Sequence, residues 1–498
     1  MLLHLKKQRE RTGLKAIWSW KKKKESSDSK HNIDCSKITN LLNQLSLEAV
    51  PLRVHDVIIQ GNTRTKDSAI EAVMEDLKHA STFLKIIEDA CIAEARLKDL
   101  GIFEHVKLVI AAGPRELPGT VNVVYSGLEP EKLREVNVSV STKLGAISPS
   151  VEGTLKWKNL LGLADIWDGS VSYGKDERAE FSTGVSLPRI GGWWSPVFTR
   201  VYLESQDWLK LSSYKQQSFG LALGLLSTKN HKLSYDLAWR TLTDPSKMAS
   251  KSVSGELGHN LLSSIKYIYQ LDARDSPWRP TRGYAYSFIT QLAGLYPHGR
   301  TARFLRQEFD LRYALPLVFG NTALNFGISG GVIIPWGKKT SLPDRIFMGG
   351  SSFSPVGSLG QLGSFSGFSH RGLGPSEPRR QTKETTSTSY RDALGGDLAF
   401  AAFANISFDL PVKVLRDAGI YGHVFACAGN LVNIQEKGWY NFSPQTFLQT
   451  SRTSVGCGVV IPPTRILPAA MELNFCRVLR HSVGCDQVRG SAQFNLKF

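Results

Sequence analysis

Few residues in this 498-residue chain are spaced for chemistry. The six cysteines (Cys35, Cys91, Cys427, Cys457, Cys476, Cys485) show no C-x-x-C spacing and no histidine pattern nearby, so packing is the role expected of most of these thiols. The eleven histidines are scattered, and none forms the His-Glu-x-x-His pair that holds zinc on one helix face. The glycine-rich stretch 357–374 contains neither the Gly-x-x-x-x-Gly-Lys of a phosphate cradle nor the Gly-x-Ser-x-Gly of a nucleophile elbow. The chain therefore reads as a non-enzyme with no catalytic residue, no metal and no cofactor. The remaining chemistry is charge placement. Asp236, Arg240, Glu308, Asp310 and Arg312 recur at alternate positions within apolar stretches, as the solvated wall of a water-filled lumen would require.

The elements that carry those charges have a period of two. From about Leu133 to the end helical periodicity vanishes: Val136, Val138 and Val140 alternate with Asn137, Ser139 and Ser141, and Phe309, Leu311 and Tyr313 alternate with Glu308, Asp310 and Arg312. Sixteen strand candidates begin near 135, 150, 168, 179, 198, 216, 232, 262, 283, 303, 321, 396, 419, 452, 469 and 491, with Val253 to His259 a doubtful seventeenth. No stretch approaches the ~18–20 apolar residues of a membrane-spanning helix, but a barrel strand needs only ~9–11, every second one apolar. Local pattern does not separate a lipid-facing barrel from a soluble sandwich. Three features favour the barrel. The segments continue for over 360 residues without a domain break, aromatics recur near strand ends (Trp157, Trp167, Trp208, Tyr214, Tyr284, Tyr421), and the chain closes on Phe494, Leu496 and Phe498. An even number of strands suits closure of first on last. One connection, about 336–395, is far longer than the others, and such loops are functional or disordered.

In front of the strands the pattern differs. Residues 51–130 read as one small α+β domain in the order β-α-α-β-β. A strand at Leu52 to Ile59 ends in the turn Gln60-Gly61-Asn62, and Thr65 or Ser68 can cap a helix with Ile70, Val73, Met74 and Leu77 on one face. A second helix shows Ile86, Ala90, Ala93, Leu97 and Leu100 on one face and stops at Gly101; strands at His105 to Ile110 and Val121 to Tyr125 follow. Residues 1–50 form a basic arm expected to be disordered, with ten Lys or Arg against three acids in residues 1–30. The arm lacks the apolar core and cleavage site of a secretory signal, which points to membrane entry from the cytosol, in a mitochondrion or a plastid. The net charge of +17 suits anionic lipid or acidic partners, and no nucleic-acid-binding fold accompanies it.

One such domain ahead of sixteen strands resembles the Omp-eighty-five superfamily, and within it the central barrel of the mitochondrial sorting and assembly machinery. The front domain looks like a POTRA domain, from the opening at Val57 to Ser68 to the closing Leu100-Gly101-Ile102-Phe103. Further matches are Lys158-Asn-Leu-Leu-Gly162, Asp272-Ala-Arg-Asp-Ser276, Arg345-Ile-Phe-Met-Gly-Gly350, Leu394-Gly-Gly396, Tyr421-Gly-His423, Ala428-Gly-Asn-Leu431 and Glu472-Leu-Asn-Phe-Cys476. The resemblance spans 52–498.

It implies a mainly β fold, a 16-stranded transmembrane antiparallel barrel over 133–498, and an insertase for β-barrel precursors in the mitochondrial outer membrane. The implied partners are membrane lipids, unfolded precursors and accessory subunits of an assembly complex, with the POTRA domain in the intermembrane space. The implied lateral gate lies between the first strand (Val136, Val138, Val140) and the last (Ser491, Gln493, Leu496, Phe498). In the family the sixth loop folds into the lumen and holds the inner wall through an Arg-Gly-aromatic motif. Here Ser366-Gly367-Phe368 occupies that motif with Ser366 in place of the Arg, and the register His370-Arg371-Gly372 offers Arg371 as the substitute anchor. The signal-like end also departs from the family pattern, with Gln493 where a Gly is usual. Three alternatives remain open at this stage: a passive or protein-translocating pore, a plastid envelope relative, and a soluble all-β binding protein.

Overall fold

The computed structural model describes residues 51–130, 134–141, 150–174, 178–188, 196–228, 230–296, 299, 301–317, 321–337, 339–350, 359, 362, 365–380, 390–438, 442–463, 470–489 and 492–497; the basic arm lies outside them. The chain divides into two compact units. The first runs to Arg134 and takes in Trp157–Ile166; the second holds Glu135–Lys156 and Trp167–Phe498.

The first unit contains β1 (Arg53–Gln60), α1 (Asp67–Val73), α2 (Glu75–Lys78), α3 (Phe83–Asp99), β2 (His105–Ala112) and β3 (Thr120–Leu128). β3 is central, parallel to β1 and antiparallel to β2. Ile70, Val73, Met74, Leu77, Ile86, Ala90, Ala93 and Leu97 all bury against Val121, Val123 and Tyr125, as the helical spacing requires. The first expected helix is divided at Met74 into α1 and α2, yet both pieces keep the same face inward. Gly101 stops α3 at φ +65°, as expected.

The cap expectation fails. α1 begins after Lys66 with no side-chain cap, and Thr65 instead donates its hydroxyl to Glu129 at 2.5 Å. Glu129 also accepts from Thr63 Oγ1 and from the backbone N–H groups of Arg64 and Thr65. Burial opposes its charge, but the Thr65 and Thr63 hydrogen bonds outweigh that and hold the carboxyl below its usual range. Within the same unit Asn159 donates to Thr65 Oγ1 at 2.8 Å, and the Lys66 N–H donates to the Gly162 carbonyl at 2.9 Å.

The second unit is one antiparallel sheet. Its strands are β4 (Arg134–Ser141), β5 (Ser150–Lys158), β6 (Ile166–Gly174), β7 (Ala179–Leu187), β8 (Val197–Asp207), β9 (Lys215–Thr228), β10 (His231–Thr243), β11 (Gly258–Asp272), β12 (Gly283–Ala293), β13 (Phe304–Pro316) and β14 (Ala323–Pro335). After the long connection, which carries the short pair β15 (Ser376–Pro378) and β16 (Arg391–Ala393), come β17 (Leu398–Asp409), β18 (Tyr421–Val432), β19 (Arg452–Ile461), β20 (Ala470–Arg480) and β21 (Ala492–Lys497). The order of the sixteen long strands follows the sequence, with β14 beside β17 and with β4 and β21 at the two ends. The doubtful seventeenth strand is absent: Lys251–Ser254 is a helical turn and Gly258 already begins β11.

Burial along the strands is the reverse of a soluble protein. On β13 Phe309, Leu311 and Tyr313 are exposed, whereas Glu308, Asp310 and Arg312 are buried. On β20 Leu473 and Phe475 are exposed and Glu472 and Asn474 buried. Water would not tolerate so many exposed apolar side chains in a continuous belt. A bilayer requires them.

Candidate functional site

Apart from the turn Gly61-Asn62 of the first unit, the residues marked by sequence fall in two places: the ends of the sheet order, and the connection between β14 and β17. On β4 Val136 and Val138 are 69% and 74% exposed, more than any other apolar side chain described within a barrel strand; Val140 continues the same strand. At the opposite end β21 pairs with β20 from Phe475↔Ala492 to Ala470↔Lys497, with Leu496 opposite Met471. Ser491 and Phe498 lie outside the described residues.

Gln493 is fully buried and accepts a hydrogen bond from Cys476 Sγ at 3.7 Å. It ends a rung that crosses five strands: Ser407, His423, Gly458, Asn474 and Gln493 are successive cross-strand partners. His423 Nε2 lies 2.8 Å from Asn474 Oδ1, spanning β19 over Gly458. A Cβ on Gly458 would sit 1.9 Å from that Oδ1, so the missing side chain is what allows the contact. The polar positions of this rung are visible in the sequence, but their juxtaposition depends on strand register, which the sequence does not state.

The long connection packs inside the barrel wall. Phe365 and Phe368 are buried edge to face at 5.4 Å. Ser366 is buried, and its carbonyl accepts from Ser454 Oγ on β19 at 2.8 Å; Gly367 (φ +95°) rests against Ser454 and Val478. The motif position therefore touches the wall through backbone and shape alone.

The cation enters five residues later. Arg371 (φ +55°) lies between Trp208, 3.5 Å from the ring centroid, and Phe347 at 3.9 Å, and donates to Tyr214 Oη at 3.0 Å and Ser212 Oγ at 3.4 Å. Desolvated between two rings, a guanidinium is held by ~2 kcal/mol or more. Burial, reinforced by Arg371 and Arg178, pushes the neighbouring His370 imidazole down to about 3, so it stacks on Trp208 uncharged. Gly372 turns the chain back: a Cβ there would lie 2.8 Å from the Gln487 carbonyl. The other marked turn, Gly61-Asn62, has a local job. Gly61 takes φ +86° against the Gly127 carbonyl, and Asn62 donates to the Thr65 carbonyl and to Asp67.

The lumenal charges are paired beneath this connection, contrary to the solvated wall expected of them. Arg240 makes a two-pronged contact with Asp344 at 2.7 and 2.9 Å, Arg312 pairs with Asp310, Arg306 with Glu308, and Tyr202 donates to Asp236. Arg345 pairs with Glu256 and donates to the carbonyls of Thr340 and Leu394. Of the five cysteines described, Cys427 and Cys476 are buried, while Cys91 and Cys457 are exposed and Cys485 lies between, so packing accounts for fewer thiols than expected. Among the described residues no group of three or more metal-ligating side chains converges.

Residues 159–496 match the Omp85 superfamily domain. The chain belongs to that superfamily. It is 28% identical to the sorting and assembly machinery component 50 homolog of Homo sapiens over 90% of each chain, and 27% identical to a SAM50-like protein of Schizosaccharomyces pombe over 86% of each. The crystal structure of BamA from Haemophilus ducreyi lacking POTRA domains 1–3 superposes with a TM-score of 0.70 at 16% identity, covering 90% of this chain and 84% of that one. This Omp85 chain shares the BamA fold.

Proposed function

We propose that this Omp85 chain is an insertase that folds β-barrel precursors into the mitochondrial outer membrane. The observation that carries the reading is the sheet itself. Sixteen strands of the BamA fold place β4 and β21 at the two ends of one antiparallel order, and β4 presents the most exposed apolar side chains of any barrel strand described. An unpaired strand edge is not tolerated in hydrocarbon. A seam between first and last strand supplies one edge on which an incoming strand pairs as it enters. The first strand captures the precursor's terminal strand, and β21 yields its place. Strand pairing and lipid burial drive the reaction, without a catalytic residue, nucleotide or cofactor. The N-terminal α+β unit acts as a POTRA domain in the intermembrane space, and accessory subunits of an assembly complex join the barrel.

A passive pore, the rival function, is disfavoured by the connection between β14 and β17, whose Arg371 and Phe368 are seated inside the wall and whose Asp344 neutralises Arg240. The test is disulfide crosslinking between Val138→Cys and a cysteine near the C-terminus of an import-arrested precursor. A crosslink abolished by mutating the precursor's terminal strand is the expected result. No crosslink, with steady conductance in a planar bilayer, would overturn the insertase in favour of the pore.

A further inference from the structure

The connection from β20 to β21 feeds straight into the last strand, and its described part is paired with the lumenal loop. Phe368 and Val488 form an antiparallel bridge. The Ser369 N–H donates to the Gln487 carbonyl at 2.8 Å and the Arg489 N–H to the Gly367 carbonyl at 3.0 Å, the pattern that flanks a non-hydrogen-bonded pair in a two-stranded ladder. The Gln487 N–H donates to the Gly372 carbonyl at 2.7 Å, and Ser376 Oγ donates to the Cys485 carbonyl at 2.9 Å. Arg371 sits within this paired stretch and reaches the other way, to Trp208 and Phe347.

One carboxylate knots the arrangement. Asp486 has a fully buried side chain and accepts from Arg452 Nε and Nη2 on β19 (2.9 and 3.2 Å), from the Gly374 N–H of the loop (3.1 Å) and from the Ser482 N–H of its own turn (2.5 Å). Charged acceptors with several donors are the stronger class of hydrogen bond, and a buried one deprived of a partner is costly. Arg489, the last clasped residue, is three residues from Ala492, where β21 begins.

Resting on the insertase reading, we propose that Asp486 is a positioning residue that ties the last strand to the lumenal loop and so limits how far the seam opens. Three residues reach about 10 Å at most, at ~3.3–3.6 Å each. Admitting one strand widens a sheet by about 4.8 Å and a hairpin by twice that. One strand enters with the clasp closed. A hairpin demands nearly the whole of that reach on top of the span the three residues already cover, so it enters only once the clasp has let go.

The test uses the full-length protein in membranes with a photocrosslinking residue at Val138, in a Cys485→Ser background. The pair Phe368→Cys and Val488→Cys places two thiols at the bridge, where the oxidised form locks the clasp and the reduced form is its own folding control. The probes are a peptide of the sequence 491–498 and a hairpin of the sequence 470–498. Oxidation leaves peptide crosslinking within about twofold and lowers hairpin crosslinking tenfold or more, and reduction restores it. In a protein with native 368 and 488, Asp486→Asn raises hairpin crosslinking several-fold and leaves the peptide unchanged. Hairpin crosslinking indifferent to the lock and to Asp486→Asn would overturn the clasp, as would equal loss of both probes on oxidation. Failure of the peptide to crosslink in the unlocked protein would instead count against the insertase reading.

Discussion

Arg371 pins the connection between β14 and β17 to Trp208 and Tyr214, five residues after the position that Ser366 takes. Arg371→Ala removes contacts with Trp208, Phe347 and Tyr214 together, and amide hydrogen exchange across 365–376 should quicken tenfold or more. Arg371→Lys should recover little, because an ammonium lacks the flat faces that two rings stack on. Arg371 was readable as a candidate from its register, since the motif position held Ser366. Its seat was not, because Trp208 and Tyr214 reach it only through the register of β8 and β9. Glu129 makes a pH prediction for the α+β unit. Its folded pKa is depressed, so its stabilisation is complete above the unfolded value of about 4.3 and is lost as pH falls through the folded value. Glu129→Gln should flatten the acid limb of the unit's unfolding curve below about pH 5, and an unchanged limb would refute the assignment.

Strands were legible because the membrane enforces strict alternation. The sixteen expected starts fall within a few residues of the observed ones, and the false candidate at Val253 to His259 was too short for its period to exclude a helical turn. Side-chain caps were less legible: Thr65 has the right residue type, but Glu129, distant in sequence, takes its hydroxyl. The rung through Gly458 shows what register adds. Gly458→Ala drives a methyl into the His423–Asn474 contact and should destabilise the barrel by about 1–3 kcal/mol, the cost of overpacking, whereas Gly153→Ala meets nothing within 4 Å and should be nearly silent. Paired heat-modifiability gels of the two variants would separate the outcomes.

Along the strands of the large sheet, burial has changed sides: charge is inside and hydrocarbon outside. Phe309→Arg should cost about 2–4 kcal/mol near the bilayer midplane, while Ser329→Thr on the neighbouring strand's other face should be tolerated; equal stability in a urea titration from lipid vesicles would contradict the lipid-facing assignment of β13. The lumenal loop also constrains the order of assembly. Nearly every strand pairs with its predecessor and can zip up as the chain is delivered. The loop between β14 and β17 rests on Trp208 and Tyr214 from early in the chain, and on Ser454, Asp486 and Gln487 from its final fifty residues. Half of its seat is missing until the end of the polypeptide arrives, so the interior is stoppered last, and a chain stalled before β19 would be a wall of thirteen strands around a plug fastened on one side only.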